Sequence, residues 1–219
     1  MTQITKNGQK RRRMSAADRR EAILDCALEE FSVNGYHETS LEGVADRAGV
    51  SKALIYEHFA SKRDLHGSLL GRYVSSLLER VIVAIGTADP PEVRLREGAD
   101  AMLSWVEDNR EPWRLIVRNP ADSGIDATVG QVQSEIAHAI ASLMQADVTE
   151  EVEEGFSDAH FEMEMAAQQI VGSLRGLANW WDEHRDVPRE RLLATHMDLV
   201  WMGLERLSRG EAWPGRAPA

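Results

Sequence analysis

The sequence predicts an all-α chain, with three short helices at the N-terminal end and a larger helical body behind them, about nine helices in all. Three observations predict it. Apolar residues recur at helical spacing along most of the length. Several of those runs open on a serine or threonine followed three residues later by an acidic residue, the pattern of a helix N-terminus. No segment alternates apolar and polar residues for long enough to make a strand. Apolar residues make up 43% of the 219, enough to fill a core, and no apolar run reaches the roughly 18 to 20 residues that a membrane-crossing helix needs.

Residues 1–14 are basic, polar and aperiodic, and are expected to form a flexible arm. Ser15-Ala-Ala-Asp18 opens the first helix, which carries Ile23, Leu24, Ala27, Leu28 and Phe31 on one face and stops at Asn34-Gly35. Thr39-Ser-Leu-Glu42 reads as a second capping box, before a short face of Leu41, Val44, Ala45 and Ala48 that Gly49 ends. Ser51 can cap a third helix carrying Leu54, Ile55 and Phe59. Ser61-Lys-Arg-Asp64 then opens a long helix to about Ile85. Beyond a loop at Gly86 to Pro91, helical spacing resumes near 92–109, and Glu111-Pro112 begins a piece that Asn119-Pro120 ends. Ser123 to Met144 is the next helix; an acidic stretch over 147–154 leads to two long helices near 157–184 and 188–208. The expected organisation is therefore an arm (1–14), a unit of three short helices (15–66), a larger helical body (67–210) and a frayed tail (211–219).

The formal net charge of −11 conceals a division. Residues 1–66 carry 11 Lys and Arg against 10 Asp and Glu, a net of +1, while residues 67–219 carry 14 against 26, a net of −12. All four lysines lie at or before Lys62. An acidic body behind a locally basic end steers polyanions towards that end alone. The single cysteine, Cys26, cannot close an internal disulfide, and the N-terminal basic residues have no apolar stretch behind them, so a reduced cytoplasmic protein is expected.

Residues 39–59 carry the most chemistry. Two helices of about eight residues are joined through Ala48-Gly49-Val50-Ser51, where Gly49 permits a sharp turn. Val44, Ala45, Val50, Leu54, Ile55 and Phe59 can pack inward, which leaves Lys52, Ala53, Tyr56, Glu57 and His58 as the outward face of the second helix. This is helix-turn-helix geometry, whose second helix enters the major groove of a duplex. Lys52 can reach phosphate or guanine O6 and N7, and Ala53 is small enough for close approach. Glu57 is awkward beside phosphate and is expected to point away. Lys10-Arg11-Arg12-Arg13 is either a minor-groove or backbone contact or a solvated tail.

The run from Thr39 to Leu65, with its Ala48-Gly-Val-Ser51 turn, Tyr56-x-His-Phe59 and Ser61-Lys62, together with Phe31-x-x-x-Gly-Tyr36 before it, resembles the TetR-family signature. The likeness covers roughly residues 15–66. It implies a ligand-responsive, DNA-binding transcriptional regulator, a repressor that binds a palindromic operator as a homodimer and is released by a small lipophilic effector, with no catalytic activity, cofactor or metal. By the same resemblance, Thr39 and Ser40 bond phosphate, Ser51, Lys52, Ala53, Tyr56 and His58 contact DNA from the recognition helix, and Lys62 grips phosphate. The long helix opened by Ser61 would carry the effector's signal to the head.

In the body, Met102, Trp105, Trp113, Ile116, Ile136, Ile140, Met144 and Met165 are candidate pocket residues, with Gln133, Gln169 or Ser173 supplying polarity. The helix near 157–184 has a large-residue face through Met163, Ala167, Ile170, Leu174, Leu177 and Trp181 and a smaller second face. Gly176 and Trp180 on that second face, with Leu192, His196, Leu199 and Gly203 on the last helix, are the expected dimer interface.

Two other classes compete. An enzyme lacks support: His160, Glu162 and Glu164 have no partner histidine at helical spacing, and there is no nucleophile elbow, phosphate loop or dinucleotide fingerprint. A helical interaction or scaffold protein whose head does not bind DNA is favoured only by Glu57 and the net acidity.

Overall fold

In the computed structural model of the protein, residues 14–118, 125–146 and 159–208 are described. Among them are nine helices and no strand: α1 (Ala16–Glu38), α2 (Leu41–Ala48), α3 (Lys52–His58), α4 (Lys62–Ile85), α5 (Pro91–Asp108), α6 (Arg110–Arg118), α7 (Ile125–Ala146), α8 (Ala159–Glu183) and α9 (Arg189–Ser208). The arm, the acidic stretch over 147–154, the Asn119-Pro120 stop and the tail lie outside the described residues. The chain divides into two compact units between Leu69 and Leu70, within α4. No helix of the described residues is long and apolar enough to cross a membrane.

In the first unit, Ser15 accepts from the Asp18 N–H and Asp18 accepts from the Ser15 N–H, closing the expected capping box on α1. Ile23, Leu24, Ala27 and Phe31 line its buried face. The stop comes at Gly35, whose φ of 71° and ψ of 174° break the helical conformation before a last short turn to Glu38. That combination is open essentially only to glycine, so Gly35→Ala is expected to destabilise the unit by roughly 1 to 3 kcal/mol in urea titration. Gly49, at φ 65° and ψ 33°, is the second left-handed residue and ends α2.

The second capping box is not formed as the sequence suggests. Ser40, not Thr39, caps α2, accepting from the Gly43 N–H at 3.0 Å. The Thr39 hydroxyl turns inward, donating to the Gly35 carbonyl at 2.7 Å, with the Glu30 carbonyl at 3.2 Å. Arg47 of α2 reaches across to α1, donating to Glu30 at 2.9 Å and Glu29 at 3.0 Å.

In the second unit, α7 packs along α8 and α5 packs against α9. Pro91 stands at the first turn of α5, where its missing N–H costs nothing. Buried tryptophans anchor the packing through their polar edges. Trp105 Nε1 donates to the Ser76 hydroxyl at 3.2 Å, and Trp181 Nε1 donates to the Val187 carbonyl at 2.7 Å. Arg114 on α6 grips Asp182 on α8 through its Nε, at 2.8 and 3.0 Å to the two carboxylate oxygens. Arg189 ties α9 to α5 through Asp100 and Glu107.

Candidate nucleic-acid interface

Burial sorts the residues of α2 and α3 into two sets. Leu41, Val44, Ala45, Ile55 and Phe59 are buried and hold the two helices together. Ser51 caps α3 by accepting from the Leu54 N–H at 3.2 Å, and this leaves its own hydroxyl hydrogen free. Ser40 does the same at α2. Lys52, Ala53 and Glu57 are exposed, Tyr56 is 52% exposed, and His58 is half-buried beside Phe59. An exposed tyrosine of that size on a seven-residue helix packs against nothing that would explain it as core. The outward set is therefore two capping hydroxyls, one ammonium, one methyl, one phenol, one imidazole and the Glu57 carboxylate, grouped on two consecutive short helices. The hydroxyls, ammonium, phenol and imidazole can donate to phosphate oxygens and base edges, and the Ala53 methyl allows close approach.

Lys52 is not free on this face: its ammonium lies 3.4 Å from the Glu42 carboxylate on α2. No sequence signal beyond spacing pointed to that pair, because Glu42 reads as a capping residue until Ser40 is seen to hold the cap. The Arg11, Arg12 and Arg13 contacts lie outside the described residues.

Two residues expected to contact phosphate are turned to the protein's own backbone. Thr39 is buried, with its hydroxyl hydrogen directed to backbone. Lys62 Nζ donates to the carbonyls of Tyr36, His37 and Thr39 at 2.8, 3.0 and 2.9 Å, and sits 4.8 Å from the centre of the Tyr36 ring. An ammonium has three N–H bonds, and all three have protein acceptors here. Lys62 thus ties the end of α1 to the start of α4.

Beside it is His66, fully buried, with neither ring nitrogen hydrogen-bonded. Its ring stands edge-on to Phe31 at 4.5 Å and 4.8 Å from Tyr36. Burial, with the Lys62 charge nearby, pushes its imidazolium pKa down to about 4. Sequence reading passed over His66, since a histidine one turn after Lys62 carries no pattern of its own.

Among the candidate ligand residues, Met102, Trp105, Trp113, Ile116 and Ile136 are buried on α5, α6 and α7, and Gln133, Ile140 and Met144 are half-buried on α7. The Trp113 Nε1–H is buried with no acceptor. Met165, Gln169 and Ser173 are instead exposed on α8, and the Ser173 hydroxyl donates back to the Ile170 carbonyl. Their side chains turn away from the stripe of Ala167, Ile170 and Leu174 that α8 buries. The expected interface residues divide similarly. Gly176, Trp180, Leu199 and Gly203 are exposed, Leu199 by 75%, whereas Leu192 and His196 are 2% and 3% exposed and belong to the subunit's own core. Burial lowers the His196 pKa accordingly.

Comparison with known proteins agrees with this geometry. The model for the bacterial regulatory proteins of the tetR family matches residues 23–69, and that for the tetracyclin repressor-like C-terminal domain matches residues 91–203. The chain is 28% identical over 197 residues to the HTH-type transcriptional activator FasR of Mycolicibacterium smegmatis, covering 89% of this chain and 87% of FasR. It is 23% identical over 159 residues to the fatty acid metabolism regulator protein of Bacillus subtilis, covering 73% and 81%. A TetR-like transcriptional regulator from Rhodococcus sp. RHA1 superposes with a TM-score of 0.69 at 25% identity, covering 88% of this chain and 99% of that one. With both family models matched in order and an all-helical fold behind a helix-turn-helix, the chain belongs to the TetR family of DNA-binding transcriptional regulators and is not an enzyme.

Proposed function

We propose that this regulator binds a palindromic operator as a homodimer, reads it with α3, and is released from it by a small lipophilic effector bound in the helical body. The observation that carries the reading is the exposure of Lys52, Ala53 and Tyr56 on a helix whose opposite side is locked by Ile55 and Phe59. Ser40 and Ser51 complete the contact from the two helix caps, with His58 at the margin and Arg11, Arg12 and Arg13 on the neighbouring backbone or minor groove. For the dimer, support comes from the outward faces of α8 and α9, where Trp180, Leu199 and Met202 are exposed apolar groups and Gly176 and Gly203 permit close helix approach. Twofold symmetry then sets half-sites about 34 Å apart along the duplex.

The effector we infer is an acyl chain with a hydrogen-bonding end. Met102, Ile116 and Ile136 offer apolar surface, and the unpartnered Trp113 Nε1–H is a donor suited to the polar end. The name of the Bacillus subtilis relative, a fatty acid metabolism regulator, supports that class. Effector binding would reach the head through α4, which is continuous across the division between the two units. Repression is the sign we propose. Activation is the second reading, favoured by the name of FasR, and a reporter gene behind the operator decides between them.

The DNA reading is tested by fluorescence anisotropy with a duplex selected from a randomised pool. Lys52→Ala is expected to weaken binding by about 1 to 3 kcal/mol, and Tyr56→Phe by about 1 kcal/mol, with sedimentation unchanged. Full affinity in both variants would remove α3 as the reading element.

A further inference from the structure

The ammonium that α3 presents is already answered within the head. Lys52 is half exposed and Glu42 70% exposed by side chain, and their charged atoms stand 3.4 Å apart. Glu42 lies in the first turn of α2, but the cap there is supplied by Ser40, so its carboxylate is not needed for the helix end. The cation of α2, Arg47, is held by Glu29 and Glu30, and Lys62 is held by three carbonyls. An exposed pair of this kind is weak, and a better acceptor displaces it readily. While it persists, the pair has no net charge and releases no counterion from phosphate.

From this pairing we propose that Glu42 is a specificity-determining residue. It masks Lys52 in loose complexes that hold the duplex at a distance, and yields Lys52 where a fitted operator brings a base edge of the major groove against it. Glu42 itself repels phosphate at close range, which adds to the cost of the phosphate-only complex. The consequence is a lower affinity for random DNA at little cost to the operator, and hence a larger ratio between the two. The proposal rests on the DNA-contact role given to Lys52 above.

The test uses the full-length protein and its Glu42→Gln, Lys52→Ala and doubly substituted forms. Each is titrated against a labelled random-sequence duplex and against the duplex selected from a randomised pool, over a range of salt. On the random duplex, Glu42→Gln is expected to bind about tenfold more tightly at low salt, and its plot of log affinity against log salt steepens by about one unit. Lys52→Ala alone is expected to keep the parent's salt slope there, because a masked Lys52 displaces no counterion. In the Lys52→Ala background, Glu42→Gln is expected to gain clearly less than in the parent, because there it relieves only its own repulsion of phosphate and unmasks nothing. An unchanged random-duplex affinity in Glu42→Gln overturns the proposal. So does an equal gain in both backgrounds, which would mark general repulsion rather than masking of Lys52. If Lys52→Ala leaves the selected duplex unaffected, the contact role of Lys52 fails, whatever the random-duplex arms show about the pair.

Discussion

Lys62→Met is expected to cost the head roughly 2 to 4 kcal/mol of stability, because it removes three charge-assisted hydrogen bonds and one contact with an aromatic face. The three carbonyls belong to Tyr36, His37 and Thr39, in the segment between the Gly35 break and the Ser40 cap. That segment sets where α2 begins, so its loosening should also weaken DNA binding. The position has two possible roles with opposite signatures. A phosphate contact, as the family motif implies, would leave unfolding unchanged and make the salt dependence of DNA binding shallower by about one unit. The internal tie seen here predicts a lower urea midpoint and an unchanged salt slope for the fraction that remains folded. Lys62→Arg should recover only part of the loss, since a planar guanidinium does not present three donors in the arrangement of an ammonium.

The second large effect is expected from acid. The His66 pKa is about 4 in the folded protein, below the ordinary value of 6.5 that the unfolded chain recovers. Between those values the unfolded chain binds a proton that the folded head refuses. Stability from this group is therefore complete above pH 6.5 and falls as pH drops towards 4, by about 3 kcal/mol in all. His66→Leu is of similar size and has no nitrogen to desolvate. It should raise the urea midpoint at neutral pH, since two unbonded ring nitrogens are removed from the core, and it should flatten the curve between pH 6.5 and 4 relative to the parent. The difference between the two proteins is the quantity to measure, because carboxylates common to both titrate in the lower part of that window. Parallel curves would show that His66 is solvated or bonded in solution.

Much of the helix plan was legible because local rules fix it. Ser15, Ser51 and Ser61 cap the helices expected of them, as the N–H groups they accept from lie within three residues of each serine. Gly35 and Gly49 break the chain where a left-handed residue is required. The start of α6 was displaced by only a residue or two from the Glu111-Pro112 signal. The capping box at Thr39 failed for a nonlocal reason. Two serine- or threonine-type residues stand side by side, and the Gly35 carbonyl, brought close by the break in α1, claims the first of them. Periodicity likewise placed Leu192, His196, Leu199 and Gly203 of α9 on one interface stripe, and packing splits that stripe. Leu192 and His196 lie towards the core, while Leu199, a turn or two further on, does not. On α8 the candidate pocket residues Met165, Gln169 and Ser173 are exposed, which spacing alone did not reveal.

The sequence alone determined the helical class, the order of the elements, the placement of the glycine breaks and the identity of the outward set on α3. Those follow from hydrophobic period and from hydrogen bonds between near neighbours. Tertiary structure alone decided how the cations are used. Lys62 is turned to three carbonyls some 23 to 26 residues away, Arg47 to two glutamates of α1, and Lys52 to Glu42 across the turn. A long charged side chain reaches whichever acceptor the packing brings within about 3 Å, and no spacing along the chain encodes that distance.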